Sequence, residues 1–301
     1  MADDAPADRA SLSSRQLPEM TLSTASNPLT APIPPPANLS STQRAEYRFQ
    51  VKGNVIITGG AGTLALEAAR ALLEHGASGL ALWDLNPDQS SAAMSALHKS
   101  FPDRRIIAEA VDVRDETSIA SAVASATTVL GPISTLCCFA GVVGCTPALS
   151  MAPSEWRRTH DINLTGTFIC AQAVARHMVE QGTGGSIVLT ASISAHHTNF
   201  PQPQAAYNSS KTALLSLCRS LAAEWARYGI RVNTLSPGYM DTVLNEGEGL
   251  ERARDMWNAR NPMGRMGDPW ELTGPLVMLC SNAGRYVNGA DIIVDGGAMV
   301  F

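Results

Sequence analysis

The sequence predicts a single α/β domain with a mostly parallel sheet and helices on both faces. Short apolar runs typical of buried strands alternate with longer helical stretches over most of the 301 residues, as NVIIT (54–58) and SIVLTA (186–191) show. Connections of helical length between such strands favour parallel pairing. The hydrophobic fraction of 45% is enough for the sizeable core that this fold requires.

Composition narrows the classes of partner. The formal net charge is −5 with no basic block, which argues against a nucleic-acid partner. No apolar run reaches the roughly 18 residues of a membrane span. The six cysteines form no Cys-x-x-Cys pair, and most lie in apolar segments, which predicts free thiols in a reducing, cytoplasmic compartment. Ligand spacing for a metal site is absent as well.

Residues 1–48 differ from the rest of the chain. They are rich in Pro, Ser, Ala and Thr, a composition that predicts a disordered or loosely docked extension before a domain at 49–301. The acidic start, MADDAPADRA, argues against a signal or transit peptide. The extension is either a dispensable tail or an arm that contacts a neighbouring subunit.

The first strand (54–58) leads into a glycine-rich turn. Gly59, Gly60, Ala61 and Gly62 precede a helix through LALEAARALLEHG, which Gly76 closes as the residue after the cap. Unpaired N–H groups and the positive helix end make such a turn an anion site suited to a pyrophosphate.

The second strand, GLALWD, ends in Asp84. It lies 25 positions after Gly59 (84 − 59), near the usual place of an acid that holds the adenosine ribose of a dinucleotide. A carboxylate there binds both ribose hydroxyls and repels a 2′-phosphate, so it favours NAD over NADP. The alternative is a cap for the next helix, although Asn86 and Pro87 already supply cap signals.

The remaining elements follow in order. The sequence predicts helices at about 88–100 and 115–130, one ending near Gln181, one from Ala205 and one from Asp268. It predicts strands at RIIAEAVDV, ISTLCCFAG, SIVLTA, IRVNTLSPG and ADIIVDGG.

Three residues around the strand SIVLTA can act together. Tyr207 and Lys211 are four apart, so they share one face of a helix. A phenol has an unperturbed pKa near ~10, and a nearby ammonium lowers it towards the range useful for proton transfer. Ser192 ends the preceding strand, and its hydroxyl can hold a substrate oxygen. The alternative is an ordinary pair on a helix surface.

The strand, the glycine-rich turn and this trio together resemble the short-chain dehydrogenase/reductase family over roughly 49–301. The resemblance implies a doubly wound Rossmann fold and hydride transfer between a nicotinamide cofactor and an alcohol or carbonyl. The segment SISAHHTNFPQPQAAYN is similar to sugar-alcohol dehydrogenases and ketose reductases of the mannitol, sorbose, arabinitol and L-xylulose type.

The resemblance also implies residue roles. In reduction Tyr207 donates the proton, Lys211 lowers its pKa and binds the nicotinamide ribose, Ser192 orients the carbonyl, and Asn163 in HDINLTGTF supports the proton relay. Residues 239–267 resemble a mobile substrate lid. The implied cofactor-binding residues are Thr58, Gly59, Gly62, Thr63, Leu64, Asp84, Asp112, Val113, Ala140, Gly141, Tyr207, Lys211, Pro237, Gly238 and Thr242.

The chain departs from the family pattern at two places. Thr63 and Ala65 stand where the family has its second and third glycines, and Phe139 replaces an Asn that braces the sheet. These departures motivate an alternative in which the chain binds the cofactor without turnover. The intact set of Asn163, Ser192, Tyr207 and Lys211 argues against that alternative.

The substrate prediction depends on polar residues before Tyr207. Asn199, Gln202 and Gln204 can hydrogen-bond a polyol, and His196 or His197 could line the same pocket; a surface loop is the alternative. We expect a sugar alcohol/ketose pair, with a bulkier hydroxy-ketone of secondary metabolism as the second candidate. The family also implies a homo-oligomer, commonly a tetramer.

Overall fold

The structure is a computed structural model that describes residues 16–245, 247 and 249–301. Its strands are β1 (Asn54–Thr58), β2 (Gly79–Asp84), β3 (Arg105–Ala110), β4 (Ile133–Cys138), β5 (Gly185–Thr190), β6 (Ile230–Pro237) and β7 (Asp291–Val294). Its α-helices are α1 (Ser41–Arg48), α2 (Thr63–Glu74), α3 (Ser91–Ser100), α4 (Glu116–Leu130), α5 (Pro153–His160), α6 (Thr167–Gln181), α7 (Ala205–Trp225), α8 (Glu251–Ala259) and α9 (Thr273–Cys280).

The strands form one seven-stranded sheet in the order β3-β2-β1-β4-β5-β6-β7, and every pairing is parallel. This confirms the predicted doubly wound fold. The chain moves outwards in one direction from β1 to β3 and then crosses back to β4 beside β1. Such a reversal opens a crevice at the carboxyl ends of the strands, where ligands bind in open α/β sheets.

The sheet is buried on both faces. All five residues of β1 are buried, and its three apolar side chains alternate between two apolar clusters. Val55 and Ile57 pack with α2 and α9, whereas Ile56 packs on the opposite side with residues of α4, α6 and α7. Each fully buried aliphatic side chain contributes about 1.5–3 kcal/mol, so the two layers hold the carboxyl edge of the sheet in place.

The ends of several helices follow the predicted signals, with one exception. Gly76 follows α2 with a φ of +102°, and Asp268 and Glu271 form a capping box before α9. Asn86, however, makes no side-chain cap, and residues 87–90 form a 3₁₀ turn before α3. Instead, the Asp84 carboxylate accepts a hydrogen bond from the Asn86 backbone N–H at 3.0 Å, because it lies directly beside that turn.

Two hydrogen bonds join the described part of the N-terminal extension to distant parts of the domain. Asn27 Nδ2 donates to the Arg227 carbonyl, and Asn282 Nδ2 donates to the Tyr47 carbonyl, each at 2.7 Å. Residues 41–48 form α1, which begins with a Ser40–Gln43 capping box. Residues 1–15, for which the sequence also predicts an extension, lie outside the described residues. No helix among the described residues is long and apolar enough to cross a membrane.

Candidate active site

The site lies where β5 ends and α7 begins. Ser192 follows β5 and caps a short 3₁₀ turn, Ile193–Ala195. Tyr207 and Lys211 share one face of α7, with Lys211 Nζ 5.7 Å from the centroid of the Tyr207 ring. The structure therefore brings together the three residues that the sequence singles out.

Lys211 is buried below this surface. Its Nζ donates to the carbonyl of Thr190 at 2.6 Å, and only 5% of the residue is exposed. Burial penalises the charged amine and lowers its pKa to about 8. The Lys211 ammonium beside the Tyr207 phenol can therefore lose its proton near pH 8.

Tyr207 differs from the prediction in one respect. Its pKa lies above the ordinary value because burial raises it, while hydrogen bonding with Ser192 lowers it and the nearby Tyr239 raises it further. The expectation that Lys211 lowers the pKa of Tyr207 is therefore wrong for this structure. The physical reason is desolvation, which disfavours the phenolate more than its neighbours stabilise it.

A second serine fixes the orientation of Ser192. Ser192 Oγ donates to Ser194 Oγ at 3.0 Å and accepts from the Ser194 backbone N–H at 3.1 Å. Both residues are buried. Sequence reasoning missed Ser194, although its spacing two residues after a strand-ending serine is typical of a local turn in which a hydroxyl caps the following N–H.

Asn163 is fully buried beside the lysine. Residues 161–166 form a π-helix between α5 and α6, a local widening that often marks functional sites. Asn163 Oδ1 accepts from the Val142 N–H at 2.8 Å, and Nδ2 donates to the Val142 carbonyl at 3.0 Å and to Ser210 Oγ at 3.1 Å. The side chain thus fixes the loop after β4 against α7.

Gly141 lies beside both Asn163 and Lys211. A Cβ added there would lie 3.4 Å from Asn163 Oδ1 and 3.6 Å from Lys211 Nζ. Thr190 Oγ1, on the neighbouring strand end, is buried without a hydrogen-bond partner in the described structure. Gly141 therefore brings the backbone after β4 close to both the Asn163 amide and the Lys211 amine.

The glycine-rich turn has the geometry of a phosphate-binding turn. Gly59 adopts a φ of +67°, and a Cβ there would lie 2.7 Å from the Ala140 N atom. Thr58 Oγ1 accepts from that same Ala140 N–H at 3.2 Å. Gly62 precedes α2 without a side-chain cap, and Thr63 and Leu64 begin the helix. The first-turn N–H groups therefore remain available for an anion.

Asp84 faces this turn from the end of β2. Its Oδ2 accepts from the Ala61 N–H at 3.1 Å and its Oδ1 from the Asn86 N–H. Asp112 is held differently, because Arg114 donates to both of its oxygens and lowers the pKa of its carboxyl group. The carboxylate of Asp84 is thus fixed by backbone donors, whereas that of Asp112 is fixed by a neighbouring guanidinium.

The other predicted cofactor residues line the same edge. Val113 packs so closely on Gly166 that a Cβ at Gly166 would lie 2.8 Å from Val113 Cγ2. Pro237 ends β6, Gly238 approaches Asp295 closely, and Thr242 is buried. The unpaired N–H groups, the glycine cradle and the ordered carboxylate fit a nicotinamide dinucleotide.

The departures from the family pattern are accommodated. Phe139, half-buried, packs against the apolar cluster on the α2 side of the sheet, so that position contributes to the core. Thr63 lies half-buried at the start of α2, and the turn before it stays open at Gly62. Neither side chain fills the glycine cradle around Gly59.

The segment before Tyr207 has a different geometry from a simple polar pocket. His196 Nε2 lies 2.8 Å from Asp291 Oδ2, so its ring turns towards β7. Gln204 Nε2 donates to Cys145 Sγ at 3.4 Å. Asn199 and Gln202 both donate to the hydroxyl of Tyr239, a residue that sequence reasoning placed in the lid without a role of its own. Within the described residues, no cluster of three or more His, Cys, Asp or Glu side chains could hold a metal ion.

Comparison with known proteins decides the family. A family model described as "Enoyl-(Acyl carrier protein) reductase" matches residues 59–299. A crystal structure of a short-chain type dehydrogenase/reductase from Mycobacterium marinum is 36% identical and superposes with a TM-score of 0.79, covering 84% of this chain and 98% of that one. The chain belongs to the short-chain dehydrogenase/reductase family.

Two curated relatives are sugar-alcohol dehydrogenases. An NADP-dependent mannitol dehydrogenase of Hypocrea jecorina is 35% identical, covering 87% of this chain and 98% of the relative. A ribulose-forming D-arabinitol 2-dehydrogenase of Candida tropicalis is 36% identical, covering 83% and 93%. The predicted resemblance to the polyol dehydrogenase subgroup is confirmed, as is the prediction of an oxidoreductase that acts on a CH–OH group with NAD or NADP.

Proposed function

We propose that this chain interconverts a sugar alcohol and the corresponding ketose with a nicotinamide cofactor. The observation that carries the proposal is the convergence of Ser192, Tyr207 and Lys211 at the carboxyl edge of the sheet, with Asn163 buried against the same helix. The likeness to mannitol and arabinitol dehydrogenases supports the substrate class.

In the proposed reaction the chain's own residues hold the substrate and move the proton. A bound nicotinamide supplies the hydride in reduction or accepts it in oxidation. The Ser192 hydroxyl orients the carbonyl oxygen, and the Tyr207 hydroxyl gives its proton to that oxygen. The high pKa of the Tyr207 phenol keeps it protonated, as a proton donor must be.

Lys211 and Asn163 support that transfer. Because the pKa of Lys211 is about 8, the amine can both carry a charge and return a proton under mild conditions. Asn163 holds the loop after β4 through Val142, and Ser210 joins it to α7. Loss of Asn163 would therefore displace the surface on which the substrate and cofactor meet.

We further propose a preference for NAD over NADP. Asp84 has both oxygens fixed by the Ala61 and Asn86 N–H groups, and a carboxylate at the end of β2 repels a 2′-phosphate. The mannitol dehydrogenase relative is named as NADP-dependent, so the comparison weighs against this preference. Replacing Asp84 with Asn tests it: we expect kcat/KM with NADPH to rise and that with NADH to fall.

Three structural roles accompany this proposal. We propose that residues 239–267 act as the substrate lid. The two ends of this segment are joined by hydrogen bonds from the Gly267 N–H to the Tyr239 carbonyl and from the Asp241 N–H to the Gly267 carbonyl.

We also propose a homotetramer, which light scattering can test, and a loosely docked extension at 1–48, which limited proteolysis can test. The six free cysteines support a reducing compartment such as the cytoplasm.

The direct test is a turnover scan with both cofactors. Reduction of D-fructose, D-ribulose and L-sorbose would be followed by loss of NADH or NADPH absorbance, and oxidation of the matching polyols by its gain. We expect clear turnover with at least one ketose. Turnover of only apolar ketones would refute the sugar substrate, and cofactor binding without any turnover would favour the non-catalytic alternative.

A further inference from the structure

Tyr239 is held in an unusual hydrogen-bonding state. Its hydroxyl oxygen accepts from Asn199 Nδ2 at 2.9 Å and from Gln202 Nε2 at 3.0 Å. Its ring stacks on Trp257 with centroids 4.2 Å apart and planes 8° apart, and Trp257 Nε1 donates to Gln202 Oε1 at 3.3 Å. Three side chains, two from the segment before Tyr207 and one from 239–267, therefore fix this phenol.

The hydroxyl group of Tyr239 has its donor hydrogen left for a further contact. A hydroxyl oxygen has two acceptor lone pairs and one donor hydrogen. Both lone pairs are taken by amide donors, and among the described residues no side chain accepts the Tyr239 proton. The hydroxyl is therefore prepared to donate to a group that comes from outside the chain.

Asn199 provides the complementary acceptor. The residue is only 7% exposed, and its Oδ1 has no hydrogen-bond partner in the described structure. An unpaired buried oxygen destabilises the fold, so a ligand that donates a hydrogen bond to it removes that cost. The Oδ1 belongs to the same amide that donates to Tyr239, so the free donor and the free acceptor are neighbours.

The pair lies next to the reacting residues. Tyr239 comes two residues after the end of β6, and β6 pairs with β5, the strand that Ser192 follows, so both residues lie at the carboxyl edge of neighbouring strands. An ionised Tyr239 would raise the pKa of Tyr207. Gln202 differs from Asn199 because both of its amide atoms already have partners within the chain. It acts as a positioning residue for Tyr239.

We propose that Tyr239 and Asn199 form a subsite for a hydroxyl group of the substrate other than the reacting one. The subsite rests on the proposed sugar-alcohol function. A hydroxyl fits because it can accept from the Tyr239 O–H and donate to Asn199 Oδ1 at the same time. A carbonyl or an ether oxygen uses only the first contact, and an alkyl group uses neither.

Ketoses that lack one hydroxyl test the subsite. Values of kcat/KM would be measured for the accepted ketose and for its single-deoxy analogues, with the wild-type chain and with Tyr239→Phe. For one analogue we expect the wild type to lose about tenfold, the effect of one lost hydrogen bond. Tyr239→Phe should treat that analogue and the parent ketose alike. A Tyr239→Phe chain that keeps the wild-type discrimination at every position would overturn the proposal.

Two controls make the result specific. Tyr286→Phe removes a hydroxyl from a fully exposed tyrosine and should leave all the ratios unchanged. Gln202→Leu should reproduce the effect of Tyr239→Phe in part, because the phenol loses one of its two donors. Equal losses on the parent ketose and on all its analogues would indicate a general structural defect and would contradict the subsite.

A binding measurement separates this proposal from the proposed function. Saturation-transfer NMR would follow D-mannitol binding to each chain with saturating NADH, where both molecules are reduced and cannot react. We expect Tyr239→Phe to weaken binding about tenfold. A wild type that turns over no ketose would refute the proposed function alone. If the wild type binds no polyol, or if the substitution leaves binding unchanged, the subsite is refuted.

Discussion

The buried charge of Lys211 predicts an unusual result for stability. Replacing Lys211 with Met removes an amine whose pKa burial lowers from 10.5 to about 8. Between these values the unfolded chain binds more protons than the folded one, so the unfolding free energy of the wild type increases with pH in that range. The charge penalty is therefore complete below about pH 8 and absent above about pH 10.5. Lys211→Met should escape it at every pH.

The size of the effect follows from the shift. Lowering the pKa from 10.5 to about 8 corresponds to about 3–4 kcal/mol at neutral pH, since each pH unit is worth about 1.4 kcal/mol. The substitution also removes the hydrogen bond from Nζ to the Thr190 carbonyl. This loss of about 1–3 kcal/mol is the same at every pH. The net change at one pH can be small, but its pH dependence isolates the charge.

Urea unfolding at several pH values measures that dependence. From pH 7 to pH 9.5 we expect the unfolding free energy of the wild type to rise by about 2 kcal/mol relative to that of Lys211→Met. Protein concentration is held constant, because oligomerisation would shift the midpoints. Lys211→Met should also lose turnover. The amine that supports catalysis would then be shown to lower the stability of the fold.

The exposed Lys99 supplies a matched control. Its side chain is exposed, so Lys99→Met removes a lysine that the fold does not bury, and the gap between this variant and the wild type should stay constant over the same pH range. If the gap between wild type and Lys211→Met stayed constant with pH, the desolvated lysine described here would be refuted.

Two further substitutions test the supports of the site. Asn163→Leu leaves the N–H and carbonyl of Val142 without partners and should cost about 2–4 kcal/mol in unfolding free energy, measured by urea unfolding; a loss below about 0.5 kcal/mol would contradict the bracing role. Gly59→Ala places a Cβ 2.7 Å from the Ala140 N atom at a φ of +67°. We expect this variant to bind NADH more than tenfold more weakly in a fluorescence titration. Gly274→Ala, where the added Cβ meets open space, should bind NADH as the wild type does.

The sequence predicted those parts of the molecule that depend on local pattern. The apolar runs placed β1, β2 and β5 correctly, because buried parallel strands are nearly continuous apolar segments. The spacing of Tyr207 and Lys211 placed them on one helix face, because helix geometry alone fixes that relation.

Other features depend on contacts across the fold and were not predictable in this way. The direction of the Tyr207 pKa shift depends on how deeply α7 packs, which no local pattern reports. The partner of His196 is Asp291, and residues 95 apart in sequence meet only through the sheet topology. Tyr239 gains its role from three side chains of separate segments, so a sequence motif could not single it out.

The measurement that tests the central claim most directly is turnover by Tyr207→Phe. This change removes one hydroxyl and keeps the ring on α7. Ketose reduction by the variant would be compared with that of the wild type, and NADH binding to both would be measured by fluorescence. We predict a loss of turnover of about 10²–10⁴-fold or more with cofactor binding retained, as expected for a proton donor. A variant that turns over the ketose within a few-fold of the wild-type rate would contradict the account.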